Sequence, residues 1–311
     1  MLAVFNITAP VFLVIALGYV MVGRGVFDFE ELRGTAKFVM KIGLPALVFS
    51  AIAGKPFREV FDVVYLAGYG AATFAVFAAG WLVSRRLRRQ DAVSAALSAF
   101  AVSFSNTGFI GYPLLAMTIG AQQAAPFFAM NVLVENMFLI PVFFILADSA
   151  AEGSEGRLKN LLRVLSNLLK NPIILALFAA LPFALGWLPL PKALLATASV
   201  LAAGSGPVAL FVIGGSLVGL RLAGGLRDIL WMTAGKLLAF PLLVVLFLKL
   251  FGADGGSLFA GALLAGVPTA SMVAIIHNQY GHGQRGAAVM LATTILSFFV
   301  IAAVLLAWHR V

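Results

Sequence analysis

Along this chain long apolar runs alternate with short clusters of charge. Between Asp91 and Glu135 there are 43 consecutive positions without a charged residue, enough for two membrane crossings of roughly 20 residues each, joined by a tight turn near Gly120. The same pattern over the whole chain predicts ten membrane-spanning helices, at about 4–22, 36–53, 60–84, 93–118, 124–147, 172–188, 197–220, 229–250, 257–280 and 286–308. The expected fold class is therefore an all-α membrane protein. No Lys or Arg precedes the first apolar run and Arg24 follows it; a secretory signal has the opposite order, so 4–22 is read as a retained span.

Two of these spans are poor candidates for unbroken helices. Asn106, Thr107, Gly108, Gly111 and Pro113 interrupt the fourth, and Gly266, Pro268, Thr269 and Ser271 interrupt the ninth. Gly leaves the backbone unprotected and Pro deletes a donor. In hydrocarbon an irregular backbone survives only where protein or a water-filled cavity satisfies it. Discontinuous helices at mid-membrane are how many secondary transporters build a substrate site. Freed amides and half-helix N-termini converging from opposite sides would favour negative charge, and the inferred substrate is a small carboxylate. The competing reading is that these small residues let helices pack closely.

Composition agrees with the membrane class: 62% of the residues are hydrophobic and 11% charged, far from a soluble domain. The net charge of +9 raises the question of a nucleic-acid partner. With the N-terminus outside, however, 14 Lys and Arg fall in inside loops and five outside, Lys41 and Lys236 lying in spans. That bias puts both termini outside and the longest loop, about 148–171, in the cytoplasm, and it explains the basic balance without DNA or RNA. With no cysteine there is no disulfide, thiolate metal site or cysteine nucleophile. No cofactor or metal is expected.

An offset of 162 positions matches Pro10 to Pro172, Pro45 to Pro207 and Asn106 to Pro268. Each half then holds five spans. An odd number forces the second half to enter upside down, so the expected architecture is two inverted five-helix repeats, 1–147 and 172–311, with breaks in spans four and nine.

Ionisable groups inside spans are functional candidates by default. Glu135 follows Asn131 by one helical turn and shares its face. It either exchanges a proton during transport or is a buried acid satisfied by Lys236 or a polar neighbour. Lys236 either attracts the anion or holds Glu135. His277 and Asn278 sit near the cytoplasmic end of span nine, as interfacial groups or as part of a proton path. Tyr65 and Tyr69, one turn apart, are expected to anchor or pack. Gly215 and Gly219 form a GxxxG read as a close helix contact, and Arg85 to Arg89 is a cytoplasmic anchor touching lipid head groups.

An enzyme is disfavoured, since the chain has no HExxH, no Asp-rich pair for diphosphate and no GxSxG. A third class is a passive channel or a receptor without turnover; a channel should leak ions without saturation, whereas a carrier should saturate and show counterflow. The alternative within the carrier class is a sodium-coupled symporter of related architecture, which would need clustered carboxylates and carbonyls around the crossover.

SNTGFIGYPLL in span four resembles the N-T-x-x-x-G-x-P-L-L segment of the auxin efflux carrier family, which includes plant PIN carriers and bacterial malonate-type carriers. PTASMVAIIHNQY in span nine is similar to that family's second crossover, with GPVALFVIGGSL and GKLLAFP as further likenesses. The resemblance implies ten spans in inverted repeats. Spans one, two, six and seven would form a scaffold, often dimeric, and the other six an elevator-like transport unit in a bacterial inner membrane. Asn106 would touch substrate, Pro113 and Pro268 would be crossover prolines, and Thr269 falls at a polar position of plant members. Two departures are notable: the long loop of plant carriers is reduced to a linker, and Asn278 stands where plant members tend to have Lys. A small aliphatic mono- or dicarboxylate is therefore expected, rather than an aromatic auxin.

Overall fold

A computed structural model describes residues 2–151, 166, 170–221 and 225–308. Most of the expected linker 148–171 lies outside the described residues. Among the described residues helices are the only regular elements, joined by one isolated two-residue bridge. Those of eight residues or more are, in order, α1 (Leu2–Gly23), α2 (Phe29–Ala53), α3 (Val63–Leu82), α4 (Ala92–Ser103), α5 (Tyr112–Ile119) and α6 (Ala121–Asp148). There follow α7 (Pro172–Ala184), α8 (Lys192–Ser216), α9 (Leu226–Leu250), α10 (Gly255–Gly266), α11 (Ser271–Gln279) and α12 (Gly283–Trp308). Six helical stretches are long and apolar enough to cross a membrane: Phe29–Ala53, Phe57–Leu87, Ala121–Asp148, Lys192–Ser216, Leu226–Leu250 and Gly283–Trp308.

Local chemistry sets several helix starts. Asp28 accepts from the amides of Glu30 and Glu31 at 2.8 Å each, and Glu31 returns the bond to the Asp28 amide at 2.9 Å. This capping box lets α2 begin at Phe29, seven residues before the apolar run expected at 36. Asp91 and Asp254 cap α4 and α10 through the amides of Ser94 and Ser257. Widened π turns interrupt other helices, at Val39–Gly43, Val83–Leu87, Thr107–Gly111, Leu133–Leu139 and Gly235–Ala239.

The described chain divides into two compact units. The first comprises residues up to Val63, Gly108–Met130 and Leu169–Gly219. Its α1 and α8 touch backbone to backbone: a Cβ on Gly18 would stand 2.1 Å from the carbonyl oxygen of Phe211, and one on Gly214 would stand 1.8 Å from that of Ile15. The close contact expected from Gly215 and Gly219 is thus shifted. Gly215 is part of it, packed on Val22 and Leu32. Gly219 lies beyond the end of α8 in open space with φ +79, a turn conformation that suits glycine.

The second unit comprises Val64–Thr107, Asn131–Leu168 and Leu220–Val311. Its α4 and α10 are built of small residues and buried on nearly every side, as expected of a helix enclosed by others. At one end Asp228 receives Arg88 through a bifurcated contact and Arg285 at 3.3 Å, tying the starts of α9 and α12 to the segment after α3. Among the described residues these are the ion pairs within 4 Å.

Candidate functional site

The helix expected over 93–118 stops at Ser103, and the one expected over 257–280 stops at Gly266. Residues 104–106 and 267–270 are extended, and Ser105 and Thr269 form an antiparallel bridge. The Asn106 amide donates to the Pro268 carbonyl at 2.8 Å, the Thr269 hydroxyl donates to the Phe104 carbonyl at 3.1 Å, and the Thr269 amide reaches the Thr293 hydroxyl at 3.3 Å. The expectation of bare amides at Asn106 and Thr269 is therefore corrected. In a dry interior an unpaired amide is costly, and the two extended segments satisfy one another. The side chain of Asn106, a residue 4% exposed, makes no hydrogen bond within these two segments. The N-terminus of α11 at Ala270 also has no side-chain cap.

Lys236 is the basic side chain of this crossover. A Cβ on Gly235 would stand 2.9 Å from Val102, so its absence lets α9 lie close against α4, and the next side chain reaches inward. Lys236 is fully buried. Its Nζ donates to the Ser105 hydroxyl at 2.8 Å and to the Ala265 carbonyl at 2.6 Å, and it lies 4.7 Å from the centre of the Phe240 ring. Ala265 is in the last turn of α10, where carbonyls lack helical partners and a positive charge is favoured.

Glu135 is 1% exposed and is not paired with Lys236. Its carboxylate accepts from the Thr107 hydroxyl at 2.9 and 3.0 Å and from the Tyr69 hydroxyl at 3.1 Å. One turn earlier Asn131 Oδ1 accepts from Tyr65 at 2.9 Å, while its Nδ2 has no partner. Tyr65 and Tyr69 stack at 5.8 Å, both fully buried. They pack, as expected, and they also supply the hydroxyls that hold Asn131 and Glu135. His277 is fully buried under Gly286, with Nδ1 donating to the Val273 carbonyl at 2.8 Å and Nε2 unpartnered. Asn278 is exposed, and Ser271 half-buried.

Asn106, Thr107, Pro268, Thr269, Ser271, Asn131, Glu135, Lys236, His277 and Asn278 thus belong to the second unit, whereas Gly108, Gly111 and Pro113 belong to the first. There Gly108 faces Leu44 and Phe128, and Pro113 packs on Gly206. The first unit also holds a cavity of about 330 Å³ that includes none of the predicted residues. Lys55, bonded to the Gln122 carbonyl at 2.9 Å, lines it with Tyr112, Ser50 and Ser199. Among the described residues no three His, Cys, Asp or Glu side chains converge as a metal site requires.

Ser105 is the member of the crossover that the sequence does not mark, a small residue among small residues. Its one signal is its place beside Asn106.

The profile of the family described as membrane transport protein matches residues 3–306. A protein of Rhizobium meliloti (strain 1021) named "Putative malonate transporter" is 29% identical over 299 residues, covering 96% of this chain and 93% of its own. A protein of Escherichia coli (strain K12) named "Uncharacterized transporter YfdV" is 23% identical over 295 residues, covering 94% and 93%.

Proposed function

Because this chain belongs to the membrane transport protein family, that of the auxin efflux carriers, we propose that it is a secondary transporter carrying a small organic anion across the bacterial inner membrane by alternating access. The substrate class is an aliphatic mono- or dicarboxylate. The name of the Rhizobium relative supports malonate as the first compound to test.

One observation carries the reading: two helices break inside a buried core and their extended segments pair at Asn106 and Pro268. A soluble or purely structural bundle gains nothing from such breaks, whereas a carrier needs polar groups halfway through the bilayer. The Asn106 carboxamide donates to one carboxylate oxygen, and the uncapped start of α11 at Ser271 offers main-chain N–H groups to the same anion. Thr107 and Thr269 set the backbone on which Asn106 sits. Ten spans in two inverted repeats fit this assignment, since residues paired by the 162-position offset meet as antiparallel partners. The scaffold of spans one, two, six and seven, its dimerisation and the elevator motion belong to the same proposal, with both termini outside.

Purified protein in liposomes tests it. Labelled malonate or malate should enter saturably and show counterflow, with or without a pH gradient. Unsaturable leak would make it a channel, and strict dependence on sodium would make it a symporter.

A further inference from the structure

We infer that the ammonium of Lys236 occupies, as a covalently tethered cation, the position at the crossover where a carrier coupled to a metal cation would hold that ion, so that this protein needs no inorganic cation to build its site. The inference rests on the reading of the crossover as a transport site, but its geometry is independent of which anion is carried.

Three features of Nζ argue for it. Its nearest partners are a main-chain carbonyl at 2.6 Å and a hydroxyl at 2.8 Å, hard oxygen donors of the kind that surround alkali and alkaline-earth ions. The carbonyl is Ala265 O, at the negative end of a broken helix, and half-helix C-termini with unwound carbonyls are the ends that coordinate cations in discontinuous-helix carriers. The remaining side is closed by the Phe240 ring at 4.7 Å, a face that attracts cations and not anions. A lysine placed to bind a carboxylate would keep its hydrogens for the carboxylate. Here two of the three are committed to Ser105 and Ala265, and among the described residues no acidic side chain lies within 4 Å.

The positive charge has a structural task at this point. Ser105 belongs to the extended stretch of the first break and Ala265 to the helix end before the second. Lys236 thus bonds to both broken segments. Truncating it would leave the carbonyl and the hydroxyl unpaired around a small void that a free cation can enter.

The test is chemical rescue. Lys236→Ala opens the void, and Lys236→Met fills it with a neutral chain of similar length. Melting temperatures of purified protein are compared in sodium, methylammonium and choline chloride at equal ionic strength. The Ala variant should melt lower than wild type in choline and recover by about 2–4 °C in methylammonium, sodium or both. Wild type and the Met variant should be indifferent. Malonate counterflow in liposomes should fall about tenfold or more in both variants and recover with the cation in the Ala variant alone. No rescue of a folded Ala variant by either cation, or sodium-dependent stability of the wild type, overturns the inference. The melting readout needs no substrate. Stability rescued without malonate transport by wild type would reject the substrate and leave the tethered cation standing. If the Ala variant does not fold, Lys236→Ser, which offers the same void with a hydroxyl, takes its place under the same criteria.

Discussion

The main-chain N–H of Asn106 donates to the carbonyl of Pro268 at 2.8 Å, so residues 162 positions apart in sequence meet as partners across an antiparallel pairing. Pro268 has no N–H of its own to return, which makes the rung one-sided. The Asn106 side chain makes no hydrogen bond within the pairing and is the polar group there that an anion can engage.

Asn106→Ala should therefore weaken carboxylate binding without unfolding the protein. One hydrogen bond to a charged ligand corresponds to about 1.5 kcal/mol, or roughly tenfold in affinity. Binding of labelled malonate and thermal melting, measured on the same preparation, check both halves. Wild-type affinity in the variant would remove Asn106 from the site.

Glu135 holds two buried hydroxyls, those of Tyr69 and Thr107. Glu135→Ala strands both and should cost about 2–4 kcal/mol. Tyr69→Phe, which deletes one donor and strands nothing that Thr107 does not still serve, should cost about 1 kcal/mol. Denaturant unfolding in mild detergent should rank the two in that order; equal stability would show that the network does not support the fold.

Gly18→Ala would drive a methyl to within 2.1 Å of the Phe211 carbonyl oxygen. Backbone cannot move aside as a side chain does, so α1 and α8 must separate, at about 1–3 kcal/mol. Gly34→Ala, which meets nothing within 4 Å on α2, should instead stabilise by about 0.5–1 kcal/mol. Melting curves of the pair separate contact from mere glycine content, and a neutral Gly18→Ala would contradict the close approach.

Asp91 carries a pH dependence at the start of α4. The Ser94 side chain and nearby main-chain amides hold its carboxyl below the usual carboxylate range, against a smaller opposing effect of burial. A depressed folded value means that the stabilisation is present above the unfolded value of about 3.9 and is lost as pH falls through the folded one. Asp91→Asn keeps a cap and should flatten this part of the acid profile, whereas Asp91→Ala should lose about 1 kcal/mol at neutral pH. Melting temperature followed from pH 7 downward distinguishes them.

The two breaks were legible because Asn106, Gly108 and Pro268 stand in runs with no other reason to be polar or helix-breaking. The partners of Lys236 and Glu135 were not. Lys236 lies 131 positions from Ser105, and Glu135 lies 28 from Thr107 and 66 from Tyr69; no local pattern links such residues. The start of α2 was misread for a different reason. Hydropathy scores Asp28 and Glu31 as loop residues, although their hydrogen bonds make them the first turn's cap. The contact of Gly214 with Ile15 escaped the GxxxG reading because spacing identifies a glycine-rich stretch but not which glycine faces the neighbour.

Glu135 and Lys236 share one more property, since each sits on a π turn. Such a turn is a helix with one residue too many, and everything downstream is rotated by about 100° relative to what precedes it. In α6 the rotated part carries Phe143, whose ring meets Phe100 at 4.7 Å and Tyr280 at 6.1 Å. Deleting a single position between Leu133 and Leu139 would keep nearly every side chain and swing that ring off its neighbours. In these rods the count of residues is under as firm a constraint as their chemistry, and a shortened copy would fail by phase, not by composition.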